Sequence, residues 1–312
     1  MRIIVTGGSG RLGRSVVRRL AAEGHDVISV DQTEVLDFPA RQVNCDLRNG
    51  EAARLLMVKY APDAVIHLAA IAVPFSAPED VILATNSALT FNVLDAASAA
   101  GATRILAASS PTVIGYGAPH GWLPQYLPLD ERHPVAPWNA YSLSKLGIEN
   151  IVRMFAAQHG DTTIFGSFRP CFVISPDEWR GARTQQGHSV VDRLNDPALA
   201  AVSLFNYIDA RDAADFVASW LTNAESTING EVFLISAEDA LATRPLADLV
   251  PRYLAGSDTL AEGLTGSASA FSSEHARATL GWRPTRSWRT ELSAEQFALI
   301  ETSSASTESS SL

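Results

Sequence analysis

The stretch RIIVTGGSGRLG at residues 2–13 decides the fold. Arg2–Thr6 is short, apolar and rich in β-branched residues, which predicts a buried strand. Gly8, Gly10 and Gly13 follow with the spacing GxGxxG, and a helical pattern starts among them. Glycines at this point let the backbone approach a pyrophosphate, whose negative charge is favoured at a helix N-terminus. The stretch therefore predicts a strand–loop–helix unit that binds a dinucleotide.

An acidic residue stands where such a unit needs one. Asp31 lies 18 residues after Gly13, directly after the predicted strand Asp26–Val30. A carboxylate there accepts hydrogen bonds from the adenosine ribose and repels a 2′-phosphate, so we expect NAD rather than NADP. Arg11 and Arg14 are the opposing observation, because either side chain could partner a phosphate.

Strands and helices alternate along the rest of the chain. Further strands are predicted at 43–45, 64–67, 104–108, 162–169 and 231–235, and helices at 51–60, 78–100, 139–159 and 207–221. This alternation predicts an α/β protein with a Rossmann-like, doubly wound parallel sheet.

The pattern weakens after residue 170, which suggests a division into parts. We expect an NAD-binding Rossmann domain at 1–170, to which 206–235 return. A small interleaved C-terminal lobe that binds substrate would comprise 171–205 and 236–300. The serine- and threonine-rich residues 301–312 predict a disordered tail.

Composition excludes several classes of partner. The chain of 312 residues carries a formal net charge of −10, which argues against nucleic acid and anionic membrane surfaces. Cys45 and Cys171 are far apart, and the histidines show no ligand spacing, so no metal site is expected. The absence of a signal peptide and of long apolar runs predicts a cytoplasmic protein. The oligomeric state is not fixed, and a homodimer stays open.

Tyr141 and Lys145 carry the strongest catalytic signal. Residues four apart on a helix lie on one face, and a nearby ammonium lowers the phenol pKa from its ordinary value of about 10. Only two of the 24 basic residues are lysines, Lys59 and Lys145. Lysine is the compact cation whose pKa adapts to its site, whereas arginine is not. The pair therefore indicates a phenol that acts as acid and base.

Several motifs occur together in a fixed order. They are TGGSGRLG at 6–13, Asp31, Asp46-Leu47, HLAA at 67–70, Asn86, Ser109-Ser110, YSLSK at 141–145, Arg169-Pro170, DAA at 212–214 and LGWRP at 280–284. With these motifs, about residues 1–290 resemble the extended short-chain dehydrogenases/reductases, also called the NAD-dependent epimerase/dehydratase family.

The resemblance implies roles for individual residues. Tyr141 would be the acid/base, Ser110 the catalytic hydroxyl, and Lys145 would hold the nicotinamide ribose and lower the Tyr141 pKa. NAD would be bound by Gly7, Gly10, Arg11, Leu12, Gly13, Asp31, Asp46, Leu47, Leu68, Ala69, Ala70, Asn86, Tyr141, Lys145, Pro170 and Cys171. The substrate would meet Ser109, Ser110, Thr112 and Phe172.

Departures from the family pattern narrow the chemistry. The 4,6-dehydratases carry an Asp-Glu pair after the catalytic hydroxyl, whereas this chain has Pro111-Thr112, so elimination of water is not expected. Phe172 stands where nucleotide-sugar enzymes often have an asparagine near the diphosphate, which weakens a nucleotide-sugar substrate. Segments 108–110 and 114–116 are similar to uronate dehydrogenases of the same family.

We therefore expect an enzyme that transfers hydride at a secondary alcohol or ketone carbon of a sugar or nucleotide sugar. A dehydrogenase of a free sugar acid is the alternative, and a non-catalytic dinucleotide sensor is a lesser one. Net oxidoreduction and epimerisation both fit the motifs. The long loop 115–137 either walls the substrate pocket or is a surface excursion.

Overall fold

A seven-stranded parallel sheet forms the centre of the protein, seen in a computed structural model that describes residues 1–300. The predicted disordered tail at 301–312 lies outside the described residues. The strand order is β3-β2-β1-β4-β5-β6-β9, and a separate parallel pair joins β7 and β8. The strands are β1 Arg2–Thr6, β2 Asp26–Val30, β3 Arg41–Val43, β4 Ala64–His67, β5 Arg104–Ala108, β6 Ile164–Pro170, β7 Val173–Ile174, β8 Ile208–Asp209 and β9 Val232–Ile235. The predicted Rossmann-like fold class is confirmed.

Helices cover both faces of this sheet. They are α1 Arg11–Ala22, α2 Gly50–Tyr60, α3 Glu79–Ala99, α4 Ala140–His159, α5 Pro176–Trp179, α6 Val190–Asn195, α7 Pro197–Ala201, α8 Ala210–Asn223, α9 Leu246–Tyr253, α10 Asp258–Ala261, α11 Glu274–Leu280 and α12 Trp288–Glu291. One face is covered by α2, α3 and α4, and the opposite face by α1, α8 and α11.

The alternation of side chains along each strand explains the two layers. In β1, Ile3 and Val5 pack into the core beside α1 and α8, whereas Ile4 packs into the core beside α2 and α3. All three side chains are fully buried. A strand covered on both faces needs apolar residues at successive positions, as the continuous apolar run of β1 provides.

The strand order reverses at β1, which lies between β2 and β4. In open parallel sheets, ligands bind beyond the carboxyl ends of the strands at such a switch point. The residues that follow β1, β4, β5 and β6 therefore meet at one edge of the sheet.

Two predicted elements differ from the structure. The third strand is β3 at Arg41–Val43 rather than 43–45. The helix expected at 207–221 begins only at Ala210, because Ile208–Asp209 pairs with β7 and the Asp209 carboxylate caps α8 by accepting the Arg211 backbone N–H at 2.6 Å. Buried apolar residues fit a short strand as well as a helix, so the pattern alone does not place this boundary.

The part of the chain after β6 has its own apolar cluster. It includes Trp179, Leu194, Tyr207 and Trp288, all buried. The return of β9 to the edge of the main sheet places 232–235 beside β6. The division into an NAD-binding domain and a substrate lobe stays a prediction. Within residues 1–300, no helix combines the length and apolarity that crossing a bilayer requires.

Candidate active site

The glycine loop after β1 has no room for side chains. Gly7 has φ +71°, and a Cβ added there would lie 2.7 Å from the Ala69 backbone nitrogen. A Cβ on Gly13 would lie 2.1 Å from the Gly7 carbonyl oxygen. Gly10 precedes α1 and gives that helix no side-chain cap. The first backbone N–H groups of α1 therefore have no side-chain cap, and the backbone around them carries no bulky side chains. This is the arrangement that binds a pyrophosphate.

Asp31 lies beside this loop. Its carboxylate accepts hydrogen bonds from the Ser9 backbone N–H at 3.0 Å and from the Gln32 backbone N–H at 2.7 Å. Asp31 is half-buried beside the loop, and a carboxylate next to such a loop suits an adenosine ribose. This geometry fits NAD.

The two arginines weighed as partners of a 2′-phosphate contact the protein instead. Arg11 Nη1 lies 3.0 Å from Glu178 Oε1, and Arg14 Nε donates to the Ser9 carbonyl oxygen at 2.8 Å. Arg11 is therefore ion-paired and Arg14 hydrogen-bonded within the protein, which favours NAD over NADP.

Asp46 and Leu47 occupy different environments. Leu47 is buried in the apolar layer beside α2 and α3. Asp46 is exposed, and its carboxylate accepts two hydrogen bonds from the Arg48 guanidinium. These bonds, together with a third from the Arg48 backbone N–H, lower the pKa of Asp46 to about 2. Their predicted position beside adenine stays a prediction.

The segment after β4 is fixed by hydrogen bonds from two directions. The backbone N–H groups of Leu68 and Ala69 donate to Thr6 Oγ1 at 3.2 and 3.3 Å, and Ala70 follows them at the same edge. The buried Asn86 side chain accepts from the Ile71 backbone N–H at 2.8 Å. Asn86 Nδ2 also donates to Ser144 Oγ on α4 at 3.0 Å. Asn86 therefore joins the predicted cofactor wall to the catalytic helix.

Tyr141 lies in the first turn of α4, which Asn139 caps by accepting the Ser142 backbone N–H at 2.9 Å. The ring is 9% exposed, and burial raises the pKa of Tyr141 to about 12. The neighbouring Ser110 side chain opposes this rise in the pKa of Tyr141. The phenol and the Ser110 hydroxyl therefore share one small site at the end of β5.

Lys145 is buried one helical turn after Tyr141. Its ammonium donates to the Ala108 carbonyl oxygen at 2.9 Å and lies 5.7 Å from the centre of the Tyr141 ring. Burial lowers the pKa of Lys145 to about 8. In this geometry burial, rather than Lys145, dominates the pKa of Tyr141, so the expected lowering of that pKa by the lysine stays a prediction.

The side chains of the adjacent residues Ser109 and Ser110 make contacts in different parts of the protein. Ser110 Oγ accepts from Thr112 Oγ1 at 2.9 Å, on the side of Tyr141. Ser109 Oγ instead donates to Glu149 Oε1 at 2.7 Å inside the protein. Ser109 therefore makes an internal contact in this structure, and the substrate contacts expected for Ser109, Ser110 and Thr112 stay predictions.

Glu149 and Arg169 form a buried ion pair that sequence reasoning missed. Arg169 Nε and Nη2 donate to the two Glu149 oxygens at 2.7 and 2.9 Å. The pair joins β6 to α4, and through Ser109 it also reaches β5. The available signal was spacing, because Glu149 lies four residues after Lys145 on the same helix face.

His67 is buried at the end of β4. Its Nδ1 lies 2.8 Å from Thr6 Oγ1 and its Nε2 lies 3.2 Å from Thr90 Oγ1. Burial, followed by the charge of Lys145, lowers the pKa of His67 to about 3. Among the described residues, no group of three His, Cys, Asp or Glu side chains could hold a metal ion.

Two residues after β6 approach the same centre. Cys171 is buried, and burial raises the pKa of its thiol. Phe172 is half-buried, and its backbone N–H donates to Asn206 Oδ1 at 2.8 Å. Tyr116 packs with Cys171 in one apolar cluster, and burial raises the pKa of its phenol.

The loop 115–137 lines a cavity of about 740 Å³ on the far side of Tyr116. Trp122 and Leu123 from this loop face Phe205 and Tyr253 across the cavity. The Trp122 ring nitrogen donates to the Ile114 carbonyl oxygen at 3.1 Å, which holds the loop against the end of β5. The loop therefore lines a cavity, and its role as a wall of the substrate pocket stays a prediction.

Comparison with known proteins gives a consistent family. A family model described as the NAD dependent epimerase/dehydratase family matches residues 3–236. The uronate dehydrogenase of Agrobacterium fabrum is 32% identical over 189 residues, which cover 60% of this chain and 67% of that protein. The UDP-glucose 4-epimerase of Azospirillum brasilense is 31% identical over 166 residues, which cover 51% of this chain and 46% of that enzyme. The alignment with that epimerase thus spans about half of its length.

Solved structures share the fold. A short-chain dehydrogenase/reductase superfamily protein from Agrobacterium tumefaciens, solved with bound NAD, has a TM-score of 0.71 and 24% identity over 99% of each chain. A UDP-glucose-4-epimerase from Stenotrophomonas maltophila, solved with NAD and formylated UDP-arabinopyranose, has a TM-score of 0.71 and 17% identity over 98% of this chain and 99% of that one.

Proposed function

The chain belongs to the NAD-dependent epimerase/dehydratase family, and within it we propose an oxidoreductase that acts at a secondary alcohol or ketone carbon of a sugar-like substrate. One observation carries the proposal: the phenol of Tyr141 and the hydroxyl of Ser110 are both buried at the end of β5, close enough for Ser110 to lower the pKa of the phenol. The Lys145 ammonium lies beside that phenol. Family membership also confirms the expected cofactor, NAD, and the expected class of enzyme.

The residues have separate tasks in this proposal. When bound, NAD supplies the acceptor or donor of the hydride. In the oxidation direction the substrate loses a hydride from carbon and a proton from its hydroxyl, and the Tyr141 phenolate takes that proton. The Ser110 hydroxyl donates a hydrogen bond to the same substrate oxygen as it becomes a carbonyl. In the reduction direction the neutral phenol returns the proton to the oxygen.

The pKa of Tyr141 sets the direction of the pH dependence. Because burial raises this pKa to about 12, the phenol is the resting form near neutral pH. The base form becomes more populated as pH rises toward that value, so oxidation should speed up with pH. General acid–base help of this kind contributes roughly 10²–10⁴ in rate.

Replacement of the phenol tests the proposal. Tyr141→Phe should lower turnover by about 10² or more, because the acid/base hydroxyl is lost. The fold and the affinity for NAD should be unchanged. Turnover is measured on a panel of free sugars, sugar acids and nucleotide sugars, with NADH formation and product analysis as readouts. Tyr116→Phe, which removes another buried phenol, is the control and should cost less than about tenfold. Undiminished turnover in Tyr141→Phe would remove the phenol from the mechanism.

The same panel separates the two chemistries. A net dehydrogenase accumulates NADH, whereas an epimerase returns the hydride and leaves bulk NAD unchanged. A non-catalytic sensor would bind NAD and convert none of the substrates.

A free sugar acid is a second candidate substrate. The uronate dehydrogenase of Agrobacterium fabrum is similar over two thirds of its length. Phe172 also stands in the position where nucleotide-sugar enzymes often carry an asparagine. These observations favour a small acidic substrate over a sugar attached to a nucleotide.

A further inference from the structure

Arg193 is a buried cation that lacks an acidic partner within residues 1–300. It lies on α6 and is 0% exposed. Nη1 donates to the Gln186 side-chain carbonyl oxygen, and Nη2 lies 3.4 Å from Ser203 Oγ. Nε is buried and has no hydrogen-bond partner. The guanidinium is therefore surrounded by neutral groups.

Two other arginines of this part of the protein have acidic partners. Arg169 meets Glu149, and Arg211 meets both Asp209 and Glu291. Burial of an unpaired charge costs several kcal/mol in a protein interior. Burial lowers the pKa of Arg193 to about 10, so the guanidinium keeps its charge near neutral pH. A permanent, uncompensated charge calls for an anion from outside the chain.

The position of Arg193 connects it to the reacting centre. Its guanidinium lies over the Phe172 ring, 4.3 Å from the ring centre. Phe172 directly follows Cys171, which packs in one apolar cluster with Tyr116 and with Ala108 at the end of β5. The Ala108 carbonyl oxygen accepts the hydrogen bond of the Lys145 ammonium. Arg193 therefore lies against a residue that adjoins the apolar cluster around the proposed reacting centre.

We propose that Arg193 binds the carboxylate of an acidic sugar substrate and thereby determines specificity. The inference rests on the proposed function and names its substrate class. A planar guanidinium fixed over an aromatic ring presents a pair of parallel N–H donors, which matches a carboxylate. The Gln186 carbonyl oxygen accepts from the same nitrogen that a carboxylate oxygen would use. Gln186 lies on an exposed segment, so a substrate can displace it.

A single guanidinium also discriminates against a larger anion. One guanidinium offsets the charge of one carboxylate, whereas the diphosphate of a nucleotide carries more negative charge than a single guanidinium offsets. Phe172 adds an apolar face and no hydrogen-bond donor from its side chain. The geometry therefore favours a free sugar acid.

Kinetics with paired substrates test this inference. Glucuronate and galacturonate are compared with glucose and galactose, which carry a neutral hydroxymethyl group in place of the carboxylate, and with UDP-galactose. The wild-type kcat/KM should favour a hexuronate over its neutral counterpart by about 10²-fold. Arg193→Met should erase this preference, mainly through KM, and should change the activity on neutral sugars by less than about threefold. Arg193→Lys keeps the positive charge but lacks the paired N–H donors of the guanidinium, so its preference for the hexuronate should be intermediate.

Two control variants separate binding from folding. Arg180→Met removes an exposed arginine of the same lobe, which pairs with Asp177, and should leave the preference intact. Gln186→Ala removes the neutral acceptor and should leave hexuronate kcat/KM within about threefold. A purely structural role for Arg193 would instead lower thermal stability and reduce activity on every substrate alike.

Equilibrium binding keeps the inference separate from the proposed function. Glucuronate and galacturonate are titrated calorimetrically into the Tyr141→Phe protein saturated with NAD, with and without Arg193→Met. Support is binding of either hexuronate that Arg193→Met weakens by about 10²-fold, even if no substrate is turned over. Equal binding with and without Arg193, no binding of either hexuronate, or a wild-type preference for UDP-galactose overturns the carboxylate site. Failure of turnover on the whole panel overturns the proposed function instead.

Discussion

Two buried arginines, Arg169 on β6 and Arg193 on α6, differ in how their charges are compensated. Arg169 is 2% exposed and gives two hydrogen bonds to the buried carboxylate of Glu149. Arg193 is 0% exposed and meets an amide oxygen, a hydroxyl and an aromatic ring. The charge of Arg169 is balanced by Glu149, whereas the charge of Arg193 has no acidic partner within residues 1–300.

The difference shows which buried polar groups serve the fold and which serve a ligand. A buried ion pair with good hydrogen bonds holds elements in register, and removal of one member leaves an uncompensated charge. Glu149 holds α4 against β5 and β6. This packing brings Tyr141 on α4 close to Ser110 at the end of β5. An unpaired buried cation has no such structural benefit, so its removal should affect binding more than stability.

The largest expected effect comes from breaking the complete pair. Glu149→Gln leaves Arg169 buried without a carboxylate and should lower the free energy of unfolding by about 3–5 kcal/mol. Unfolding in urea, followed by circular dichroism, measures this change. Asp177→Asn breaks the exposed pair with Arg180 and should cost at most about 1 kcal/mol. Similar losses in the two variants would show that Glu149–Arg169 is no more structural than a surface pair.

His67 provides a buried polar group that is neutral rather than paired. Its folded pKa of about 3 is below the ordinary value of 6.5, so the unfolded chain binds the proton first as pH falls. Stability from this group is complete above about pH 6.5 and is lost progressively toward pH 3. His67 should change the free energy of unfolding by at most about 1.4 kcal/mol per pH unit in this range.

The pH dependence of the unfolding free energy checks this expectation. His67→Asn should flatten the curve between about pH 6.5 and pH 3, whereas His120→Asn, at an exposed histidine, should leave it unchanged. If both variants keep the wild-type slope, His67 does not titrate as its burial requires.

Asp31 is an intermediate case, because its carboxylate is held by backbone N–H groups yet remains half-buried beside the glycine loop. Asp31→Ala should weaken NAD binding by about tenfold, the effect of roughly 1.4 kcal/mol of lost hydrogen bonding. Binding of NADP should weaken less, because a repulsive charge is also removed. Titration of both nucleotides measures the ratio, with Glu34→Ala as an exposed acidic control. An unchanged NAD to NADP ratio would contradict the assignment of Asp31 to the ribose.

Short-range sequence patterns predicted the glycine loop and the Tyr141–Lys145 pair, but neither the Glu149–Arg169 ion pair nor the unpaired Arg193. The glycines, Asp31, Tyr141 and Lys145 follow from short-range spacing, because each acts through its own strand end or helix turn. The partner of Glu149 is 20 positions away on another element, and the pairing depends on how α4 packs on β6. The isolation of Arg193 is likewise a property of its three-dimensional surroundings. No local pattern distinguishes it from the exposed Arg180 in the same lobe.

The same reasoning explains the errors in element boundaries and the different contacts of two adjacent serines. Tyr207 and Ile208 are buried whether they continue a helix or pair with β7, so apolar character did not locate the start of α8. Ser109 and Ser110 are neighbours in an extended strand end, where successive side chains point to opposite faces. Their contacts therefore differ although the sequence presents them as one motif.

One measurement tests the contrast between the two arginines most directly. The free energy of unfolding is determined for wild type, Glu149→Gln and Arg193→Met, each saturated with NAD, with and without the hexuronate that binds the Tyr141→Phe protein, at about 100 times its dissociation constant. A ligand at that concentration stabilises a protein by about 2.7 kcal/mol. We predict that Glu149→Gln is strongly destabilised but keeps the stabilisation by hexuronate, whereas Arg193→Met unfolds like wild type and loses it. Loss of stability in Arg193→Met together with full stabilisation by hexuronate would contradict the account.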